Sequence, residues 1–214
     1  MRTDYLTLDI ETGPGALCDI EPLLKPGKAP ANYKDPEKIA AYLEEDRQKQ
    51  IDQGALEATT GVILCVTVAQ GDAEPEVFGD DNEQGLVEET LRMMETAHAD
   101  NGGIVFVTFR GHGFDLPFLI RRAWRYGIRV PKLLMQRFMR PTFVDLFEIY
   151  QCGNRDQTIS LDRFAKLCNI EGKNGDVEAK YFHEAWKTNR PLANEYARQD
   201  VRTTRAIARH IRAI

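Results

Sequence analysis

Tyr5-Leu6-Thr7-Leu8-Asp9-Ile10-Glu11 is the stretch whose reading decides the fold. It alternates in the manner of a β-strand, is rich in β-branched and aromatic types, and is stopped by Gly13-Pro14-Gly15. Side chains of a strand alternate between its two faces, so Asp9 and Glu11 share one face while Leu8 and Ile10 turn into the core. Two carboxylates side by side repel each other unless a proton or a cation sits between them. Acids are also common at strand ends, so this pair takes its meaning from what accompanies it.

Two further stretches do so. Phe109-Arg110-Gly111-His112-Gly113-Phe114-Asp115-Leu116-Pro117-Phe118-Leu119 reads as a buried strand ending in a glycine-rich turn, then an Asp that opens a helix. Asp115 suits an N-cap there. It also sits at a strand–helix junction, where α/β folds place ligands. Near the end of the chain, Glu195-Tyr196-Ala197-Arg198-Gln199-Asp200-Val201 lies on a helix with a buried stripe of Ala197, Val201, Thr204, Ala208 and Ile211. Tyr196 and Asp200 share one face of it, beside that stripe. An Asp at the edge of a buried stripe is costly without a partner. Arg198, Arg202 and Arg205 are at hand as partners, and a metal ion is the other possibility.

Outward from these stretches, strands are predicted over Val62–Ala69, Glu76–Phe78, Gly103–Phe109 and Thr142–Val144. Helices are predicted from Asn82, over Leu116–Tyr126, after Ser160, and from about Pro191 to Ile211. Between the first two strands, Asp35 as N-cap, Pro36, and an apolar stripe of Ile39, Ala40 and Leu43 predict one more helix. The pattern is α/β, strand-rich early and helix-rich late, in a single domain over 1–214, with about 16–60 as an insertion or helical cover.

Composition is that of a globular protein, 43% hydrophobic and 29% charged. No apolar run reaches the ~18 residues of a membrane span, and the N-terminus lacks the pattern of a signal peptide. Cys18, Cys65, Cys152 and Cys168 lie far apart with no metal-ligand spacing, so a reducing cytoplasm is expected. The net charge of −5 argues against indiscriminate nucleic-acid binding, but charge is unevenly placed. From Arg110 to Arg140, eight basic residues face a single acid, Asp115. Such a stretch is either a solvated helix face or a local phosphate-binding surface.

Asp-x-Glu, then Phe-Asp-Leu-Pro-Phe-Leu, then Tyr-x-x-x-Asp, in that order, resembles the three exonuclease motifs of the DEDD superfamily, in its tyrosine-bearing branch. The context is similar to the proofreading domains of family B DNA polymerases, and closer to a stand-alone bacterial family of predicted polymerase-B-like 3′→5′ exonucleases. Tyr33 to Ile39, Ser160-Leu161 with Ala165-Lys166-Leu167, and Asp200-Val201 with Thr204 carry that context. The resemblance implies an RNase H-like fold, a mixed five-stranded sheet flanked by helices. It implies two divalent ions, Mg²⁺ or Mn²⁺, with Asp9 bridging both. Glu11 and Asp200 would hold the first and Asp115 would anchor the second, largely through water. Tyr196 would orient the attacking water. The implied substrate is the 3′ end of single-stranded nucleic acid, DNA ahead of RNA, hydrolysed to nucleoside 5′-monophosphates.

Arg110, His112 and Phe114 at the junction, with Arg121, Arg122 and Arg125 from the basic helix, are the substrate-binding candidates. The family usually has Asn where this chain has Arg110, which could grip a backbone phosphate or alter which end is accepted. His112 also reads as a simple turn histidine, and Asp145 as the N-cap of a following helix in preference to a residue at the edge of the site. An exoribonuclease acting on RNA or short oligoribonucleotides shares the same metal chemistry, since no feature locates a contact to a 2′-hydroxyl. A nucleic-acid-binding subunit without activity would need no metal ion, although it would leave the complete acid set without a use.

Overall fold

The structure, a computed structural model, describes residues 5–79, 81–100, 103–135, 142–172 and 181–214. Five strands form one sheet in the order β3-β2-β1-β4-β5, made of β1 (Tyr5–Pro14), β2 (Gly61–Gln70), β3 (Glu76–Phe78), β4 (Val105–Thr108) and β5 (Phe143–Asp145). β1 runs parallel to β4, pairing Tyr5 with Val105 and Thr7 with Val107, and β4 runs parallel to β5. β2 and β3 are antiparallel, so the sheet is mixed. The expected mixed five-stranded α/β architecture is the one observed.

The central place of β1 follows from its side chains. Tyr5, Leu6, Thr7, Leu8 and Ile10 are all buried, so both faces of the strand are covered there, while Asp9 and Glu11 are half-buried. Tyr5 packs in one core cluster with Val105 and Val107 of β4 and with Ile207 and Ala208. Those last two belong to α8 (Arg190–His210), the long C-terminal helix. Tyr5, Asp9 and Glu11 share a face by the alternation of the strand. Asp200 lies seven residues before Ile207, about 10 Å back along the helix, and Asp9 lies four residues beyond Tyr5, about 13 Å along the strand. The same register that docks Ile207 at Tyr5 therefore brings Asp200 over the acidic end of β1.

The other helices of this unit are α3 (Glu83–Asp100), α4 (Asp115–Arg125), α5 (Leu146–Gln151), α6 (Leu161–Leu167) and α7 (Phe182–Thr188). α8 packs against α5, α6 and α7 and against β3 and β4, while α3 packs against α4. Ser160 caps α6, Asn189 caps α8 with a proline in the first turn, and Asp145 caps α5 through Phe147 N at 2.9 Å. No helix among the described residues is long and apolar enough to cross a membrane.

The chain divides into two compact units, Met1–Glu11 with Ile63–Ile214, and Thr12–Val62. The smaller one contains α1 (Leu17–Ile20) and α2 (Pro36–Gln53), with Asp35 accepting from Glu37 N at 3.0 Å as the expected N-cap. The proposed stripe of α2 is shallow. No residue of that helix is fully buried, Ile39 and Leu43 are half-buried, and Ala40 is exposed. Tyr33 and Tyr42 meet edge to face at 5.8 Å, and the unit's two ends are tied by Gly15 N donating to Thr60 O at 2.9 Å.

A buried ion pair locks α3 to α4 in the larger unit. Arg122 donates from Nε to Glu83 Oε1 at 2.7 Å and from Nη2 to Glu83 Oε2 at 2.5 Å. Glu83 also accepts from Ile63 N at 2.8 Å and from the Tyr126 hydroxyl at 2.6 Å, so both of its oxygens are satisfied. Taking one partner from such a pair strands the other charge in the interior. Arg122→Ala is therefore expected to lower stability to urea by about 3–5 kcal/mol. Arg121→Ala, on the exposed face of the same helix, is expected to stay within about 0.5 kcal/mol of the wild type. Equal, small losses in both variants would show that the pair contributes little to the fold.

Candidate active site

Asp9, Glu11 and Asp200 converge: one carboxylate oxygen from each lies within 4.8 Å of the others. Asp200 is buried and the two strand acids are half-buried. The donors are all carboxylate oxygens, the chemistry that hard divalent cations select. Cys65 of β2, a neighbour of Glu11 and Asp9, is fully buried. Burial, with Glu11 and Asp9 adding to it, pushes its thiol well above the usual range, so it stays protonated and is a poor ligand. The three oxygens lie near enough for modest side-chain movement to bring them onto one ion. The residues present therefore fit a Mg²⁺- or Mn²⁺-type ion.

The three arginines of α8 that could have partnered Asp200 make contacts of another kind. Arg198 donates to Pro75 O at 3.3 Å, Arg202 bonds Glu74 and Glu195, and Arg205 donates to Gly71 O and Ala73 O. They tie the helix to the connection between β2 and β3.

Asp115 is buried under β1, outside the group of three. Its Oδ1 accepts from Ile10 N at 3.0 Å, between the two strand acids, so it links the strand–helix junction to the acidic end of β1. Burial pushes its carboxyl up to about 7, with Asp145 adding to the rise and the hydrogen bond from Ile10 opposing it. The turn that leads to it is clamped by Asp145, which accepts from Arg110 N at 3.0 Å and from His112 N at 2.9 Å. Arg110 is held there in the left-handed region, with φ of 64°, a conformation that costs roughly 1–2 kcal/mol outside glycine. Gly111 has no alternative: a Cβ would lie 2.3 Å from Thr108 Oγ1.

Tyr196 stands one turn before Asp200 and is buried, packed with Cys65, Phe182, Trp186, Ala193 and Ala197. Burial raises its hydroxyl pKa far above the ordinary value, and Asp200, Glu11 and Asp9 raise it further. It is a hydrogen-bond donor at any working pH, and not a base.

The substrate-binding candidates separate. Arg110 is exposed, with its Cζ 4.1 Å from the centroid of Phe147, and it borders an open groove with Ser160, Leu161 and Arg163. His112 is a turn residue whose Nδ1 lies 3.1 Å from Glu148 Oε2. Phe114 is half-buried against Phe118, at 5.5 Å between ring centroids. Arg121 and Arg125 are exposed on α4. Arg122 is a correction: it is only 3% exposed and committed to Glu83, so it belongs to the core and not to a phosphate-binding surface. Arg122 follows the buried Leu119 by three residues and adjoins the buried Ala123, while Arg121 and Arg125, four apart, share the exposed side, a distinction invisible in a count of charges. Arg129 is engaged by Glu95 at 2.5 Å, and Arg137 and Arg140 lie outside the described residues. The clamp by Asp145 has no signal in the sequence, because backbone hydrogen bonds from residues 35 and 33 positions away leave no local mark.

Residues 60–208 match the family described as "Predicted 3'-5' exonuclease related to the exonuclease domain of PolB". That span holds Asp115, Tyr196 and Asp200, while Asp9 and Glu11 precede it. A DNA polymerase of Pyrococcus glycovorans is 28% identical over 145 residues, covering 60% of this chain and 18% of the polymerase. The family B DNA polymerase from the hyperthermophilic archaeon Pyrobaculum calidifontis aligns in structure with a TM-score of 0.62 at 20% identity, over 97% of this chain and 24% of the polymerase. The chain thus spans less than a quarter of the length of either polymerase. The structural likeness identifies the fold as RNase H-like. With most of its length matched, the chain belongs to the family of predicted 3′-5′ exonucleases related to the exonuclease domain of PolB.

Proposed function

We propose that this protein is a metal-dependent 3′→5′ exonuclease of the tyrosine-bearing DEDD branch, acting on single-stranded DNA and releasing nucleoside 5′-monophosphates. The observation that carries the reading is the meeting of Asp9, Glu11 and Asp200 within 4.8 Å, in a chain of this family. DNA is favoured as substrate because the similar proteins are DNA polymerases.

Asp9, Glu11 and Asp200 would hold one divalent cation, with Asp9 shared by a second that Asp115 anchors through water. When bound, two such ions stabilise the attacking and leaving oxygens of an in-line displacement. The chain's own residues do the rest. A water oxygen forms the new bond to phosphorus as the bond to the 3′-oxygen of the preceding nucleotide breaks, and that oxygen leaves with a proton. Tyr196, kept protonated by its burial and by the three acids, orients the water through its hydroxyl. Its ring is fixed by Phe182, at 5.5 Å between centroids. Arg110, stacked on Phe147, presents a guanidinium to the backbone of the strand.

With 5′-labelled single-stranded DNA, Mg²⁺ or Mn²⁺ should give a ladder of progressively shorter labelled products, and EDTA should stop it. Immediate release of labelled mononucleotide would show attack from the other end and overturn the polarity; a ladder on RNA but not DNA would reassign the substrate.

Tyr196→Phe keeps the packing and all four acids but loses the hydroxyl. Its single-turnover rate should fall roughly 10²-fold, the low end for a positioned acid–base group, with substrate affinity near wild type. A wild-type rate would reduce Tyr196 to a packing residue.

A further inference from the structure

Arg190 opens α8, and its guanidinium lies over the indole of Trp186, with Cζ 3.6 Å from the ring centroid. Its Nε donates to Trp186 O at 3.0 Å, so both the plane and one edge of the group are fixed while the Nη donors remain for another partner. Among the described residues no carboxylate is paired with it, unlike Arg122, Arg129 and Arg202.

The platform under it is rigid. Trp186 is 4% exposed and stacks on Phe182 at 5.8 Å, and Phe182 in turn meets Tyr196 at 5.5 Å. Cys65 belongs to the same cluster. The backbone of Gly79 closes against it: a Cβ there would lie 2.9 Å from Trp186 Cζ2, 2.8 Å from Cys65 Cβ and 2.4 Å from Leu64 O. Any larger residue at 79 would displace the indole. The opposite end of this cluster is the carboxylate group, since Tyr196 is one turn from Asp200 and Cys65 feels Glu11, Asp9 and Arg190 together. A positioned cation therefore stands one packed cluster away from three acids without being neutralised by them.

A planar guanidinium held by stacking on an aromatic ring, with its fork of donors free, matches the two oxygens of a phosphodiester. We infer that Arg190 grips a backbone phosphate of the bound single strand beside the carboxylate group, with Trp186 as its support. This rests on the exonuclease reading for the identity of the strand, and it adds a substrate contact that lies outside the three motifs. A residue that only packed the start of α8 would need no particular phosphate.

Neutral methylphosphonates placed singly at the linkages nearest the 3′ end of a fluorescein-labelled oligodeoxynucleotide test the contact. Affinity is read by anisotropy in Ca²⁺, which carboxylate oxygens also bind. For the wild type, one of these replacements should weaken binding about tenfold, as expected for a charge-assisted hydrogen bond. Arg190→Ala and Arg190→Gln should weaken the unmodified strand by a similar factor and become indifferent to the replacement at that linkage. Their salt dependence should be shallower by about 0.7 in the log–log slope, one phosphate contact on a single strand. Circular dichroism checks that each is folded, and Arg190→Gln retains a donor for Trp186 O if the alanine variant does not fold. The inference is overturned if a folded variant keeps the wild-type sensitivity at every linkage, or if the wild type is indifferent to all of them. Failure of the exonuclease reading would show separately, as no shortening of the same oligonucleotide in Mn²⁺.

Discussion

Three carboxylates held within 4.8 Å of one another resist being brought together, at a cost on the order of 3–4 kcal/mol per charged pair at the effective dielectric of a protein surface. The larger unit of the fold is the means by which they are held. Two come from the central strand, where alternation alone places them on one face. The third comes from the longest helix, whose apolar stripe docks Ile207 and Ala208 against Tyr5 and so fixes the register at Asp200. Local mobility offers little relief, because β1 is bonded on both sides and α8 packs against three other helices and two strands. A cation is the direct remedy for such repulsion, and the absence of a usable soft ligand at Cys65 narrows the choice to ions that take oxygen.

The same geometry shapes the electrostatics around the group. Tyr196 is kept from ionising first by its burial and then by Asp200, Glu11 and Asp9, which suits it to donate a hydrogen bond and not to abstract a proton. Asp115 is kept at a distance by its bond to Ile10 N, buried, with a carboxyl that titrates near neutrality in the protein without ions. Several nearby arginines have other partners. The arginines of α8 are spent on the β2–β3 connection, and Arg190 is stacked aside on Trp186. An acidic site flanked by held cations is the arrangement a polyanionic substrate requires.

Much of this was legible in the sequence because it rests on short periods. The alternation at Tyr5–Glu11 and the four-residue step from Tyr196 to Asp200 define faces without reference to the rest of the chain. Caps at Asp35, Asp145 and Ser160 were equally local. What was not legible depended on distant partners. Arg122 looked like its neighbours Arg121 and Arg125 until Glu83, 39 residues earlier, proved to be its partner. α7 carries no start signal in the sequence, because Tyr181 at its N-cap position is not a capping residue type and makes no side-chain cap hydrogen bond. The stripe of α2 correctly marked a helix, yet that helix buries none of its residues fully, since periodicity reports which side is apolar and not how much lies against it.

The claim at the centre of this account is that Asp9, Glu11 and Asp200 form a site for divalent cations. Calorimetric titration of the metal-free protein with Mn²⁺, beside the Asp200→Asn variant, tests it without any substrate. The account predicts saturable binding by the wild type and a loss of at least about tenfold in the variant, the lower bound seen when even the surroundings of a metal site are disturbed. Equal Mn²⁺ affinity in a folded Asp200→Asn protein, or no binding by either, would contradict it.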